Sequence, residues 1–440
     1  MKRGMLFVLI WLSVAPAIAQ EVLPATAGPD IVSDALPVLF DGAVRFRWRV
    51  PGNEEATAAL QNTMPPAAVA ADGHVTEVRL TVPDGAVIEL VSGKAFVPQP
   101  LPGFGAVYGQ VWPIAVDAGG QQSLPDGNVE FAGRWVGVRN RFYAVVLSDM
   151  TAGQVLVKTE RDNEPRISIV PVPGQTAVLF RLYAGPVEHN TLRTADPVLT
   201  GLLFASLWNW LRWLCFGMLW LLTAIHGVVG STGWSIVVLS LAVKILMTPL
   251  TKTADRLQAS VNETTALLQP QIAAIKRDFG GEEAHNRILT VYKKYGVHPL
   301  YTLKSLAGFL IQVPVFIAAF DMLGDNFALH AAPFLWIADL SRPDQWLALP
   351  VTLPFFGGYL NLLPCLMTAL TLLTSWLQKD DALTPELIRR QRVRLFWMAG
   401  AFFLLFYTFP AGMVLYWTTN NALALARLMP RLIGTMTASR

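Results

Sequence analysis

The sequence predicts a multi-span α-helical membrane core, five transmembrane helices with a cytoplasmic helical hairpin, behind an N-terminal periplasmic all-β sandwich domain. Three observations predict it. Of 440 residues, 53% are hydrophobic and only 15% charged, against about 25% charged in ordinary soluble domains. The apolar residues are segregated, so that residues 20–200 read as an aqueous domain and residues 201–432 as successive apolar stretches. The basic residues are sorted by loop, which is how membrane orientation is encoded. A net charge of +3 is too small to point to a nucleic-acid substrate. Both cysteines, Cys215 and Cys365, lie in the apolar half, so the aqueous domain has no disulfide framework. No metal-ligand spacing appears, and no cofactor is expected.

The first element is an export signal. Lys2 and Arg3 precede the apolar run Met5–Val14, and Ala17-Ile18-Ala19 follows as a small-x-small cleavage pattern. The run is shorter than the ~20 residues of a spanning helix, which favours a cleaved signal over residues 1–19, with an uncleaved signal-anchor as the alternative. Residues 20–200 are strand-like. Ala43–Val50, Val75–Val82 and Gln154–Thr159 alternate polar and apolar residues, and Pro83-Asp84-Gly85, Pro125-Asp126-Gly127 and Pro173-Gly174 mark turns. Ala56–Asp72, rich in Ala and Pro, reads as a linker or long loop. His74, His189, Glu130 and Asp149 are isolated, so no catalytic constellation is evident. Residues 201–230 carry Trp208, Trp210, Trp213 and Trp220, interrupted by Asn209 and Arg212. Tryptophan prefers the membrane–water interface, so this stretch reads as an interfacial amphipathic segment, with a full span as the rival reading.

Five spans follow within residues 231–430: Gly233–Thr251, Ser305–Leu323, Leu360–Gln378, Leu395–Phe409 and Gly412–Leu428, the last two joined by the turn Pro410-Ala411-Gly412. Residues 252–304 contain Lys252, Arg256, Lys276, Arg277, Arg287, Lys293, Lys294 and Lys304. The loop between the third and fourth spans carries Lys379, Arg389, Arg390, Arg392 and Arg394. Between the second and third spans Arg342 is the one basic residue, beside Asp325, Asp339 and Asp344. The positive-inside rule makes the basic loops and the tail, residues 431–440, cytoplasmic.

Lys244 is the residue most open to a chemical reading. It is twelfth in the nineteen-residue first span. A charge at a helix centre costs roughly 2.5–3.5 kcal/mol on insertion scales and so faces a bundle interior or a watery cavity. Snorkelling is the competing explanation, because the cytoplasmic boundary is only ~10 Å away at 1.5 Å per residue. Thr248 on the same span, Gln312 on the second and Tyr416, Thr419 and Asn420 on the fifth add polar groups, as do Asn361, Thr368, Thr371, Thr374 and Asn421. Single polar residues are ordinary interhelical hydrogen-bond partners. Several spans each offering some, around a cation with no carboxylate at matching depth, point to a shared hydrophilic groove.

In the large cytoplasmic loop, Leu257, Val261, Leu268, Ile272, Ile275 and Phe279 recur at helical spacing. Pro270 is expected to kink this helix and Gly280-Gly281 to end it; Ile288, Val291, Tyr292 and Tyr295 mark a second helix closed by Gly296. The result is a helical hairpin with a charged outer face, or a solvated connector.

These residues resemble the YidC-type membrane protein insertases. AVKILMTPLTK (Ala242–Lys252), LLQPQIAAIKRDFGG (Leu267–Gly281), YKKYGVHPL (Tyr292–Leu300), FLIQVPVFIAAF (Phe309–Phe320), PFLWIADLSRPD (Pro333–Asp344) and FPAGMVLYWTTNN (Phe409–Asn421) occur in that family's order. GRWVGVRNRFYAVVL (Gly133–Leu147) and LYAGP (Leu182–Pro186) resemble the end of its periplasmic domain. The resemblance implies a protein of the bacterial inner membrane that is not an enzyme. It implies a groove marked by a basic residue, usually arginine, at the position of Lys244, and a hairpin that receives substrates. Nascent membrane proteins, the lipid bilayer, the Sec translocon and the ribosome are the implied partners. Three departures stand out: lysine for arginine at 244, Tyr301–Ala307 in place of a Gly/Pro-containing stretch, and Asp321 at a usually apolar site. A polytopic transporter or channel using the same polar spans is the alternative function, although neither an inverted repeat nor an acidic coupling pair is visible.

Overall fold

The structure, a computed structural model, describes residues 44–53, 74–81, 85–92, 96, 98–123, 127–129, 135–149, 155–159, 165–171, 174, 177–298, 300–377 and 385–438. The expected signal (1–19) and the Ala/Pro-rich stretch (Ala56–Asp72) lie outside them. Two compact units form: residues 1–208 with 325–331 and 351–358, and residues 209–324 with 332–350 and 359–440.

The first unit is the expected β domain. Its strands are β1 (Val44–Arg49), β2 (Val75–Thr81), β3 (Val87–Ser92), β4 (Trp112–Asp117), β5 (Gly120–Ser123), β6 (Gly127–Val129), β7 (Trp135–Arg139), β8 (Tyr143–Asp149), β9 (Val155–Thr159), β10 (Pro165–Ile169) and β11 (Ala177–Pro186). They build two antiparallel sheets, ordered β1-β3-β10-β9-β6 and β2-β11-β8-β7-β4-β5. Period-two alternation puts Ile88 and Leu90, Ile167 and Ile169, Val145 and Leu147, and Phe180 and Leu182 into one shared core. β7 is buried on both faces. On it Arg139 donates to the Leu202 carbonyl at 2.6 Å and to Gln121 Oε1 at 2.8 Å, and lies 3.7 Å from Asp325. Gly137 is dictated by close approach, since a Cβ there would strike the Val145 carbonyl. Short helix α1 (His189–Ala195) follows β11.

The second unit is helical: α2 (Asn209–Val229), α3 (Thr232–Leu246), α4 (Thr248–Asp278), α5 (Gly281–Lys294), α6 (Lys304–Gly324), α7 (Leu362–Leu377), α8 (Pro385–Phe406) and α9 (Ala411–Ala438). Helix α2 buries Leu211, Cys215, Met218 and Leu222 along one stripe and leaves Trp210, Trp213 and Trp220 exposed. With 21 residues and a mean hydropathy of 1.4 it is itself long and apolar enough to cross a membrane.

Several boundaries differ from the sequence reading. The expected span Gly233–Thr251 is divided: α3 stops at Leu246, and α4 continues after a 58° bend. Pro249, in the first turn of α4, has no N–H for the preceding turn and restricts Thr248, which places the break. Pro270 sits within α4, which runs on through it and ends at Asp278, just before the expected Gly280-Gly281. Helix α8 begins ten residues before the expected Leu395 and α9 runs to Ala438, because helical hydrogen bonding continues past the apolar run that hydropathy detects. Among the described helices only α2 alone, and α3 with α4 together, meet the length and hydropathy of a span; Leu310–Gly324 and Leu362–Leu377 are shorter apolar helices.

The stretch between α6 and α7, expected as a plain loop, does two jobs. Its Arg342 and Leu340 carbonyls accept from Ala411 N at 2.7 Å and Gly412 N at 2.8 Å, satisfying donors left free where α9 begins. Asp344 Oδ2 accepts from Leu362 N (2.7 Å), Leu363 N (2.8 Å) and Trp336 Nε1 (3.2 Å), capping α7 from outside its own segment. Asn361 Nδ2 adds a 2.7 Å bond to the Tyr407 carbonyl. Phe334 packs so closely on α3 that a Cβ at Gly233 would enter its ring. Strands β12 (Leu347–Leu353) and β13 (Gly357–Leu360) then form a two-stranded ribbon.

The hairpin is held by hydroxyls. Gln271 Nε2 donates to Tyr295 OH at 2.5 Å, and Thr265 Oγ1 shares a 3.0 Å hydrogen bond with Tyr301 OH, whose ring lies 6.3 Å from that of Tyr292. Tyr301, one of the family departures, therefore ties the chain after α5 back to α4. Tyr301→Phe removes that bond, worth about 1 kcal/mol. Hydrogen exchange is expected to quicken across residues 265–301 while the β domain keeps wild-type protection; unchanged exchange there would refute the tie.

Candidate functional site

Helix α9 packs against both α3 and α7. On α3 Ser240 and Lys244 are four residues apart and share one helix face, and Thr248, at the start of α4, lies next to Lys244. Across from them α9 presents Tyr416 and Asn420 at the same spacing, with Arg427 beyond. Lys244 Nζ donates to the Asn420 carbonyl at 2.9 Å. Ser240 Oγ, fully buried, lies 3.0 Å from the Ile236 carbonyl and 3.3 Å from that of Tyr416. Asn420 Nδ2 returns to the Tyr416 carbonyl at 3.0 Å. Thr248 Oγ1 donates to the Lys244 carbonyl at 2.9 Å and accepts from Arg427 at 3.5 Å. On the far side of α9, Asn421 Nδ2 donates to Thr371 Oγ1 at 2.7 Å, fixing α7.

This seam is cationic. Lys244 is half-buried, and its one hydrogen-bond acceptor among the described residues is a neutral carbonyl. Its second cation, Arg427, is exposed and reaches the same seam through Thr248. Because α3 ends at Leu246, Lys244 stands in that helix's last turn, near its partially negative carbonyl end. The division of the expected span therefore moves the lysine from a helix centre to a helix terminus. An ammonium so placed can hold a passing carboxylate, and no paired acid has to be displaced.

Lys244, Thr248, Tyr416 and Asn420 are thus brought together as the sequence suggested. Thr419 is half-buried on α9 and makes no hydrogen bond in the seam among the described residues, and Gln312 is exposed on α6, outside the Lys244 hydrogen bonds. Polarity within an apolar run does not reveal which face carries it, so the sequence did not place Gln312 relative to Lys244. Ser240 and Arg427 were missed, although the four-residue spacing to Lys244 would have found Ser240. In the hairpin, Leu268 and Ile272 are buried on the inner face, Gly280 caps α5, Gly281 takes φ +57°, and Tyr292 is half-buried.

A β domain followed in the chain by apolar helices, with a half-buried cation that has no carboxylate partner among the described residues, defines a polar interhelical seam. Comparison with known proteins makes the class specific. The model of the family described as 60Kd inner membrane protein matches residues 224–430. The membrane protein insertase YidC of Ralstonia nicotianae is 34% identical over 260 residues, 58% of this chain and 42% of that protein. The protein of the same name from Thiobacillus denitrificans is 29% identical over 330 residues, 69% of this chain and 53% of its own. Through this region the chain is similar to the YidC family. It spans about half the length of the curated relatives it matches. A solved chain described as an active YidC insertase with its first transmembrane domain resolved aligns over 87% of this chain and 82% of its own. That alignment has 19% identity and a TM-score of 0.36, too low to carry structural weight.

Proposed function

We propose that the chain inserts the membrane segments of nascent proteins into the bacterial inner membrane. It would do so without nucleotide, metal or bond chemistry. The observation that carries this reading is the seam itself: a half-buried ammonium bonded to the Asn420 carbonyl, with no carboxylate partner among the described residues, inside the region that matches the family. In this reading α3, α6, α7, α8 and α9 span the bilayer, the β domain is periplasmic, and the hairpin and C-terminus are cytoplasmic. Helix α2 lies along the outer interface on its tryptophans. A short hydrophilic segment of the substrate enters beside Lys244, where hydration and charge lower its desolvation cost, while its apolar helix moves into lipid. For an acidic segment the membrane potential adds about 2.3 kcal/mol per charge per 100 mV. Delivery involves the hairpin, with the ribosome and the Sec translocon as partners.

Cell-free synthesis of a single-spanning protein in the presence of liposomes containing only this chain tests the reading. Protease-protected product is expected above that of empty liposomes. Equal protection in both, or solute flux without insertion, would overturn it in favour of a transporter.

A further inference from the structure

The ribbon β12–β13 has a surface that water does not explain. Trp346, Leu347, Val351, Leu353, Phe355 and Tyr359 are all 38–64% exposed. By alternation Leu347, Val351 and Leu353 share one face of β12, and six of its seven residues are exposed. No residue from Gln345 to Gln378 is charged. Exposed edge strands in water are normally protected by charges, and an isolated two-stranded ribbon is marginal there. The tip of the ribbon also does not stand alone. Within the first unit Phe355 meets Phe104 edge-on at 5.1 Å, and Pro102 lies 2.9 Å from where a Cβ on Gly357 would be. Phe104 and Val107 are themselves about half exposed, 51% and 50%. Residues 98–116 carry no charge either.

We propose that this ribbon, with Phe104 beside its tip, is a lipid anchor seated in the headgroup zone of the outer leaflet. The inference rests on the reading of α7 as a membrane span. The occupant follows from continuity: β13 ends at Leu360 and α7 begins at Leu362, so a single residue separates the ribbon from an apolar helix. The depth follows from hydrogen bonding. An open two-stranded ribbon has unpaired backbone groups on both outer edges, which hydrocarbon does not tolerate. Pro350 within β12 has no N–H to leave unpaired, and water and headgroups satisfy the unpaired groups. Aromatic residues such as Trp346, Phe355 and Tyr359 prefer this level of the bilayer. The ribbon therefore lies at the interface with its side chains dipping towards the acyl chains.

Depth-dependent quenching tests this. Cys215 and Cys365 are replaced by alanine, and a fluorophore is placed in turn at Val351→Cys, Leu373→Cys and Ala118→Cys. The full chain is reconstituted in phosphatidylethanolamine–phosphatidylglycerol vesicles. Ala118, on the exposed turn after β4, is the aqueous reference, and Leu373, exposed on α7, is the lipid reference. The label at 351 is expected to be quenched at least threefold more than that at 118 by headgroup-level nitroxide lipid. It should be quenched at least threefold less by an aqueous quencher. A label at 351 that behaves like 118, while 373 reports lipid, overturns the anchor and leaves the span intact. One shielded from both quenchers also overturns it, since a protein surface would then cover the ribbon. Aqueous quenching at 373 would bring down the span reading and the anchor with it.

Discussion

Lys244→Ala is expected to lower the insertion rate of a single-spanning substrate with an acidic N-terminal tail by about tenfold, while Lys244→Arg keeps it near wild type. Two unit charges ~4 Å apart interact by roughly 4 kcal/mol at an effective dielectric of about 20. Mobility and hydration of an extended segment reduce that to about 1–2 kcal/mol, and about 1.4 kcal/mol is tenfold in rate. Arginine preserves the charge and can still donate to the Asn420 carbonyl, which Lys244 holds at 2.9 Å. Lys244→Met keeps the length of the stem without the charge and should match alanine. A substrate with a neutral tail should respond far less to any of the three. Protease-protected yield over time in proteoliposomes is the measurement. A tenfold loss that appears equally with the neutral tail would mean the lysine supports packing rather than recognition.

The largest stability effect is expected at Asp344. Asp344→Ala strands two buried N–H groups at the start of α7 and the Trp336 indole, which donate to Oδ2 at 2.7, 2.8 and 3.2 Å. A buried donor left without its acceptor costs about 1–3 kcal/mol, so a loss of about 3 kcal/mol or more is expected, read as a lower unfolding temperature in detergent. Asp344→Asn retains an acceptor and should recover most of it. The pH dependence separates the two forms further. Burial raises the Asp344 carboxyl above the ordinary carboxylate range, outweighing the hydrogen bonds from Leu363, Trp336, Leu362 and its own backbone that oppose the rise. With the folded value above the unfolded one, protonation contributes stability that is fully present below the unfolded pKa of about 3.9. That contribution is lost as pH rises through the folded value. The stability of wild type relative to Asp344→Asn should therefore fall as pH climbs through that acidic window. A flat difference would mean that the carboxyl is not buried as described.

Asp344 also shows where a motif match stops being an explanation. PFLWIADLSRPD could be recognised as a string, but nothing in its composition says that its carbonyls and carboxylate cap two helices elsewhere in the chain. Capping by a residue eighteen positions away has no local signal, unlike the N-cap immediately before a helix. Gly233 is similar: its reason is the Phe334 ring, over one hundred residues later. Tyr301 stands in a stretch that departs from the family pattern, and nothing local in the sequence signals its hydroxyl bond to Thr265. The ribbon β12–β13 was invisible because uncharged apolar residues broken by prolines fit a loop, a strand and a span edge alike.

By itself the sequence determined the segregation into a β domain and an apolar helical region, the hairpin, and Lys244 as the cation to explain. Those follow from periodicity, turn residues and charge placement, which are local and additive along the chain. Only the tertiary structure decided that the expected first span breaks at Met247, so that Lys244 stands at a helix end facing the Asn420 carbonyl rather than at mid-helix. It alone separated Gln312 from that seam and admitted Ser240 and Arg427. The facing of two helices depends on the rotation of each about its axis, and packing against third elements sets that rotation. The spacing of residues in one helix determines which of them share a face, but not what that face meets.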